Sequence, residues 1–592
     1  MIKEVAKGGS YLLGDVDAST VFTPEDFSDE HKMIAGMTAD FVENDIAPVD
    51  ERIETQDFDL LVNLLQKAGE LGLLGAAIPE NYGGTNLDKI SSTLIGEKLV
   101  RGSSFALSVG AHVGIGTQPI ALFGNEDQKA KYLPSLVTGE KLAAYCLTEP
   151  SSGSDALGAK TTAVLSEDGK HYILNGTKQF ITNAAFADVF VVYAKVDGDK
   201  FTTFIVEKSF EGVSTGPEEK KMGIKGSSTR PLILEDVKVP VENLLGEIGK
   251  GHVIAFNILN LGRYSLGAGC LGTSKWAIDL AVEYAKQRKQ FGKALVEFPL
   301  MQKKIADMAI YTYATESVVY RTGGLMDDAL KTLNVNDENY QKDVVKKVAD
   351  YALECSVNKV FASECLDFVS DEAVQIHGGY GFTQEYKVER IYRDSRINRI
   401  FEGTNEINRL LIPDMLFRKA MKGELPMMEV AANLEQELVA YMPPMIDEDT
   451  PLEKEKAMLA SAKKIFLMVG GTAVKKYKQA LQEEQEILEI ISNLAIQIYA
   501  LESTILRTEK AIARDGLEKS KQKLNLTVAF AQETFTKIEL MAKDGIVSMD
   551  DGDSALMVLS ILKKLVRFKP KNLLHIKREI ADKIIQSDQY TV

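Results

Sequence analysis

The chain has 592 residues, 45% hydrophobic and 26% charged, the make-up of a globular protein with about three or four domains. Lys+Arg number 69 against Asp+Glu 85, and the resulting charge of −16 disfavours nucleic-acid binding, which draws on a basic excess. Cys146, Cys270, Cys355 and Cys365 are scattered without a CxxC, and the six His lack HExxH spacing, which argues against a metal centre, an iron–sulfur cluster or a disulfide framework and for a reducing compartment.

Residues 1–30 read as an N-terminal extension. The start carries a lysine but no apolar core behind it, unlike a secretory signal, and lacks the Arg/Ser-rich, acid-poor look of a transit peptide. No run approaches eighteen consecutive apolar residues, so no membrane-spanning helix is expected, and the expected location is the cytoplasm. Residues 31–143 read as a helical domain, with Phe41, Ile46, Leu60, Leu61, Leu64, Leu65 and Leu71 on helical faces and a loop at 79–84.

Residues 144–250 change to a strand period. The stretch 172–181 reads as a hairpin turning at Asn175-Gly176, and 189–196 with 200–206 as a second one closed by Asp197-Gly198-Asp199. Helices return over 251–420, where Ala277, Leu280, Ala281, Tyr284 and Ala285 recur at three and four. A Met-rich, loop-like stretch follows Pro413. Residues 421–592 read as an additional helical domain, in which the stripe Ile487, Ile490, Ile491, Leu494, Ile498, Leu501 and Ile505 is bundle core rather than a cofactor site. The fold class is mainly α with a central β domain, and this order rules out a doubly wound sheet, whose strands and helices alternate.

Two motifs are decoys. Gly267-Ala268-Gly269-Cys270-Leu271-Gly272 matches GxGxxG, but it lies between helical stretches rather than after a strand, so close helix packing explains it better than a dinucleotide site. Asp550-Asp551-Gly552-Asp553-Ser554 lacks calcium-loop spacing and a terminal Glu, and reads as a turn capping a helix.

The chemistry gathers elsewhere. In Arg399-Ile400-Phe401-Glu402-Gly403-Thr404-Asn405 one carboxylate sits among apolar residues before a Gly-Thr turn. Burial would raise its pKa into the range of a useful base, and the glycine admits close approach of a ligand to backbone amides. An ordinary Glu ahead of a helix has the same local pattern. Tyr145 to Asp155, with its small and hydroxyl residues, offers backbone and hydrogen bonds to a polar cofactor. Phe180-Ile181-Thr182 sets an aromatic plane beside a hydroxyl, suited to a flat ring. Arg288-Lys289-Gln290-Phe291-Gly292 ends a helix with a cation placed for a pyrophosphate, and 375–382 supplies a second glycine-rich surface.

Together, and in this order from about residue 30 to 412, these motifs resemble the acyl-CoA dehydrogenase family, and most of all its very-long-chain branch, through 110–112, 147–156, 220–225 and 258–263. The long helical C-terminal extension matches that branch in length and helicity. The resemblance implies an acyl-CoA dehydrogenase-like fold with an extra C-terminal helical domain, and FAD as cofactor. It implies that Tyr145, Leu147, Thr148, Gly153 and Ser154 border the flavin and thioester, and that Phe180, Ile181 and Thr182 line the isoalloxazine. Many members have Trp where Phe180 stands. It places Arg288, Gln290, Phe291, Gln375, Gly378 and Gly379 against the FAD of a partner subunit in a homodimer, with Thr404 and Glu406 completing the cofactor site. Glu402 matches the catalytic base, with Ser154, Asn260, Arg263 and Gly403 near the substrate. Some branches carry the base just before the helix arginine, where this chain has Gly262.

The implied reaction is α,β-dehydrogenation of long-chain acyl-CoA in fatty acid β-oxidation, with electrons passed to electron-transfer flavoprotein. The alternatives are an acyl-CoA oxidase or a scaffold of the same fold. Ala111, His112, Val113 and Gly114 resemble the pocket floor, where small residues suit long chains. The segment 415–422, apolar on one side and basic on the other, reads either as a peripheral membrane contact or as a helix end packed on its own domain.

Overall fold

The computed structural model describes residues 6–334, 337, 339–439, 441–447 and 449–592. Its first helices start where the sequence supplies caps. Ser28 accepts from the His31 amide, Asp57 from Leu60, Asp88 from Ser91 and Asn125 from Gln128, opening Asp29–Phe41, Phe58–Glu70, Lys89–Leu99 and Glu126–Thr138. Leu61, Leu64 and Leu65 share one buried face. A helical run from Ser104 to Phe123, widened by a π-helical stretch at Ala111–Thr117, leads to the sheet.

That sheet contains β1 (Ala143–Cys146), β2 (Thr162–Leu165), β3 (His171–Thr182), β4 (Val189–Val196), β5 (Lys200–Glu207), β6 (Val213–Thr215), β7 (Thr229–Pro240) and β8 (Leu244–Leu245). Their order is β6-β7-β3-β2-β4-β5-β8, with β1 parallel to β4. The expected β4–β5 hairpin is present, turning at Asp197 and Gly198, both with positive φ. The expected hairpin at Asn175-Gly176 is not. β3 runs through it as one strand, paired with β2 on one side and β7 on the other. Asn175 exchanges hydrogen bonds with Asp236 across the sheet at 3.0 and 2.8 Å instead of turning, and Gly176 lies at a register shift against β7, where a Cβ would collide with Thr161.

Helices Gly251–Gln287, Pro299–Leu330, Ala352–His377 and Asn405–Met421 form the bundle. Gly267 and Gly272 lie within the first of these, pressed against Asn358 and the Glu97 carbonyl, so the GxGxxG stretch is a packing surface as expected. Helices Glu453–Tyr477, Gln485–Asp515, Lys521–Met549, Asp553–Leu565 and Leu573–Ser587 follow. The stripe from Ile487 to Ile505 merges with the bundle into one apolar core that contains Tyr313, Leu494 and Phe530. Leu416 is buried in that core and Phe417 packs against it, while Arg418, Met421 and Lys422 are exposed, so the apolar side of the 415–422 segment packs on its own domain. Asp550 accepts from the Gly552 amide just before Asp553–Leu565, a turn at a helix start as expected.

Two helical stretches, Ser104–Phe123 and Glu453–Glu483, reach the length and mean apolarity of a membrane span, though neither is an unbroken apolar run. More than half of each lies buried within the protein, so these are apolar because they are core.

Buried charge ties the ends of the chain to this core. Arg507 donates to Glu25 from Nε at 3.0 Å and to Glu316 from Nη1 at 2.7 Å, and Lys275 bridges Glu316 to Glu97. Truncating one member leaves its partners charged and dry. Arg507→Ala is therefore expected to lower stability by about 3–5 kcal/mol in urea denaturation, whereas Lys543→Ala, which breaks an exposed pair with Glu539, is expected to change it by about 0.5 kcal/mol at most.

Candidate active site

Thr404 caps the Asn405–Met421 helix, its hydroxyl accepting from the Ile407 amide at 3.2 Å. The two residues before it, Glu402 (φ 57°) and Gly403 (φ 79°), are both left-handed. Glycine adopts that conformation freely, but glutamate does so only under constraint. Here the constraint is a set of donors on the turn's carbonyls. Arg263 Nε donates to the Glu402 carbonyl at 3.2 Å, Lys359 Nζ to that of Gly403 at 2.9 Å, and Asn408 Nδ2 to those of Gly403 and Thr404 at 2.9 and 3.0 Å. Arg263 is itself aligned by Asn260 Oδ1 at 2.9 Å.

The turn throws the Glu402 side chain onto Gly262. A Cβ on that glycine would overlap the carboxylate, so position 262 and the Glu402 carboxyl address the same point in space. Glu402 Oε2 is buried without a hydrogen-bond partner among the described residues. Burial pushes the carboxyl up to about 7, held from going higher by the charges of Arg263 and Lys359. Tyr145 lies in the same field: burial first, then Tyr193 and the Glu402 carboxylate keep its phenol well above the usual value.

The 145–155 loop is anchored from beneath. Lys178 and Glu149 form a buried ion pair at 2.7 Å. Lys178 Nζ also donates to the Leu147 carbonyl at 3.3 Å, and Glu149 accepts from the Lys160 and Thr161 amides at 2.6 and 3.0 Å. The Gln179 amide donates to the Thr148 carbonyl at 2.8 Å, stitching the loop to β3. Leu147 faces the core, while Gly153 and Ser154 are exposed and Gly153 has open space around it. Phe180 has a φ of 59° at the register break between Lys178 and Ile181, which turns its ring outward with 61% of its surface exposed. Ile181 is turned the other way, into the sheet core, so only its backbone can reach a ligand. Thr182 is half-buried at the strand end.

The remaining expected residues form a second, separate group. Arg288 follows the Gly251–Gln287 helix with its guanidinium 5.4 Å from the Tyr380 ring centre, and Phe291 is 94% exposed. Gln290, Gln375, Gly378 and Gly379 are exposed, and both glycines have open space around them. Arg288 lies 25 residues beyond Arg263 along one helical run, roughly 38 Å at 1.5 Å per residue, so this group and Glu402 do not share one pocket within a chain. Glu406 is exposed in the first turn after Thr404. His112 is fully buried, with Nε2 on the Leu136 carbonyl at 2.9 Å and Nδ1 on the Ala143 amide at 3.0 Å, so it ties helix to sheet and does not line a pocket.

Lys359, Asn408, Lys178 and Glu149 escaped the sequence reading. Lys178 and Glu149 were inside the motifs, and for Lys178 the available signal was its place on the face of β3 that also carries Tyr172 and Leu174. Lys359 had a comparable one, a lysine inside the apolar run Val357 to Ala362.

Comparison with known families finds matches over most of the chain. Family models described as the acyl-CoA dehydrogenase N-terminal domain, middle domain and C-terminal domain match residues 28–140, 144–237 and 249–417, and a further acyl-CoA dehydrogenase C-terminal domain matches 461–564. A "Probable acyl-CoA dehydrogenase" of Bacillus subtilis is 59% identical over 100% of this chain and 99% of its own. The "Very long-chain specific acyl-CoA dehydrogenase, mitochondrial" of Rattus norvegicus is 35% identical over 86% of this chain and 78% of its own. The "Caffeyl-CoA reductase-Etf complex subunit CarC" of Acetobacterium woodii is 40% identical over 66% of this chain and 100% of its own. Among solved structures, an acyl-CoA dehydrogenase complexed with FAD from Bacillus anthracis superposes with a TM-score of 0.97 at 59% identity, covering 99% of this chain and 100% of that one. The chain belongs to the acyl-CoA dehydrogenase family, and is an acyl-CoA dehydrogenase with FAD as its cofactor.

Proposed function

We propose that the enzyme dehydrogenates long-chain acyl-CoA to trans-2-enoyl-CoA, with Glu402 as the base. The observation that carries this reading is the buried, unpartnered Glu402 Oε2 on a carboxyl held near neutrality. A carboxyl in that state can take a weakly acidic α-proton while a substantial fraction of it is ionised beforehand at neutral pH. Its constrained turn fixes the carboxylate direction, and its backbone amide is available to hold the thioester oxygen and so acidify the α-carbon. Arg263 and Asn260, packed against the same turn, border the thioester end.

The residues around this point fit FAD. The outward ring of Phe180 offers a flat face, Thr182 a hydroxyl, and Tyr145, Thr148 and the open Gly153-Ser154 corner offer backbone and polar edges. FAD held there would supply the hydride acceptor for the β-carbon, while Glu402 takes the α-proton. The second group, Arg288, Gln290, Phe291, Gln375, Gly378 and Gly379, has the exposure and charge to serve the pyrophosphate and adenosine end in a second subunit, which supports a homodimer.

Long-chain preference is supported by the Ser104–Phe123 run beside Tyr145 and Leu259, where Gly110 and Gly114 have no atom within 4 Å of the place a Cβ would fill. Electron-transfer flavoprotein as acceptor is supported by the likeness to the CarC subunit, named for an Etf complex. A role in β-oxidation fits the substrate class and completes the reading.

Anaerobic mixing with acyl-CoA tests it. Palmitoyl-CoA is expected to bleach the flavin absorbance rapidly, octanoyl-CoA more weakly, and Glu402→Gln to show no bleaching. Flavin that no acyl-CoA reduces would overturn the reading. Gly262→Ala is a finer test: a methyl against the Glu402 carboxyl should slow bleaching about a hundredfold while FAD content stays at the wild-type level.

A further inference from the structure

We propose that Lys359 is a positioning residue for this reaction: by donating to the Gly403 carbonyl and the Asn405 carboxamide it locks the left-handed turn that aims the Glu402 carboxylate. The proposal rests on the reading of Glu402 as the base. Lys359 Nζ lies 2.9 Å from Gly403 O and 2.6 Å from Asn405 Oδ1. Asn405 is clamped in turn, its Nδ2 donating to Ser363 Oγ and Glu364 Oε1, both at 3.1 Å. Lys359 and Ser363 stand four residues apart on one face of Ala352–His377, so a single helix face grips both ends of the turn.

The burial is what separates this lysine from an ordinary one. Its side chain is fully buried and forms no ion pair among the described residues, since both of its partners are neutral oxygens. Burying an ammonium without a counter-ion is unfavourable, and stability alone would be served by an apolar side chain of similar length. The charge has a use nearby. Facing it are Glu402 and Glu406 on the turn, with Cys270 and Arg263 on Gly251–Gln287. Burial pushes the ammonium down to about 8, so it remains charged at neutral pH beside the base. Lys359 therefore holds the turn by hydrogen bonds and supplies, with Arg263, the positive field that restrains the carboxyl.

The test is the pH dependence of anaerobic flavin bleaching by palmitoyl-CoA in the FAD-loaded enzyme. Lys359→Met is expected to slow bleaching about a hundredfold. Removing a cation disfavours the ionised carboxylate, so the acidic limb of the profile should move to higher pH by about one unit or more. Lys359→Arg keeps the charge with poorer donor geometry, and should lower the rate while leaving the limb in place. Asn405→Ala, which removes one acceptor and no charge, should behave like Lys359→Arg. Lys359→Gln keeps one donor and no charge, and carries the same pH readout should Lys359→Met fail to retain flavin. Neutral variants that bleach at the wild-type rate with the wild-type limb would overturn the proposal. Glu402→Gln, run beside them, separates the two failures: a Glu402→Gln enzyme that still bleaches removes the base reading, whereas a silent one beside wild-type-like Lys359 variants removes only the role of Lys359.

Discussion

The site depends on one constraint: a glutamate held in the left-handed region so that one oxygen of its carboxyl is buried without a hydrogen-bond partner among the described residues. A non-glycine residue in that region costs roughly 1–3 kcal/mol and persists only when its surroundings over-determine it. The surroundings here come from three helices. Arg263 reaches in from Gly251–Gln287, Lys359 from Ala352–His377 and Asn408 from Asn405–Met421, each donating to a carbonyl of the turn. The bundle thus fixes the direction of the carboxyl proposed as the base, and Tyr145 of the sheet lies within that carboxyl's field.

Two buried carboxylates show how the same side chain is set to opposite ends of its range. Burial would raise Glu149, but the direct pair with Lys178 and the hydrogen bonds from Thr161 and the Lys160 amide outweigh it and keep the group below its ordinary value. Burial raises Glu402 too, but Arg263 and Lys359 spend their hydrogen bonds on backbone carbonyls and amide oxygens, so their charges act only through space. The first carboxylate is a permanently ionised anchor for the loop at 145–155. The second is left poised to gain and lose a proton. Paired environments that push like groups apart in this way mark acid–base roles.

Much of this was legible in the chain. The change from helical to strand period and back marks the sheet between helical parts, the apolar flanks of Glu402 foretell its burial, and the β4–β5 turn follows from Asp-Gly-Asp. Where local pattern falls short, tertiary contact is the reason. Asn175-Gly176 has the chemistry of a tight turn, yet β2 and β7 pair with both sides of β3 and draw it straight through. The run from Ser104 to Phe123 has the apolarity of a membrane span because the sheet and bundle cover it. Lys359 is 43 residues before Glu402 in sequence, and nothing in either segment announces that a bundle crossing brings its ammonium to the Gly403 carbonyl.

The central claim is that the Glu402 carboxyl titrates near neutrality because it is dry, and it can be read directly. Infrared difference spectra of the FAD-loaded enzyme, wild type minus Glu402→Gln, should contain a protonated-carboxyl band that disappears with a midpoint of about 7 as pH rises. A band that is already gone above about pH 5, as for a solvated glutamate, would contradict the account.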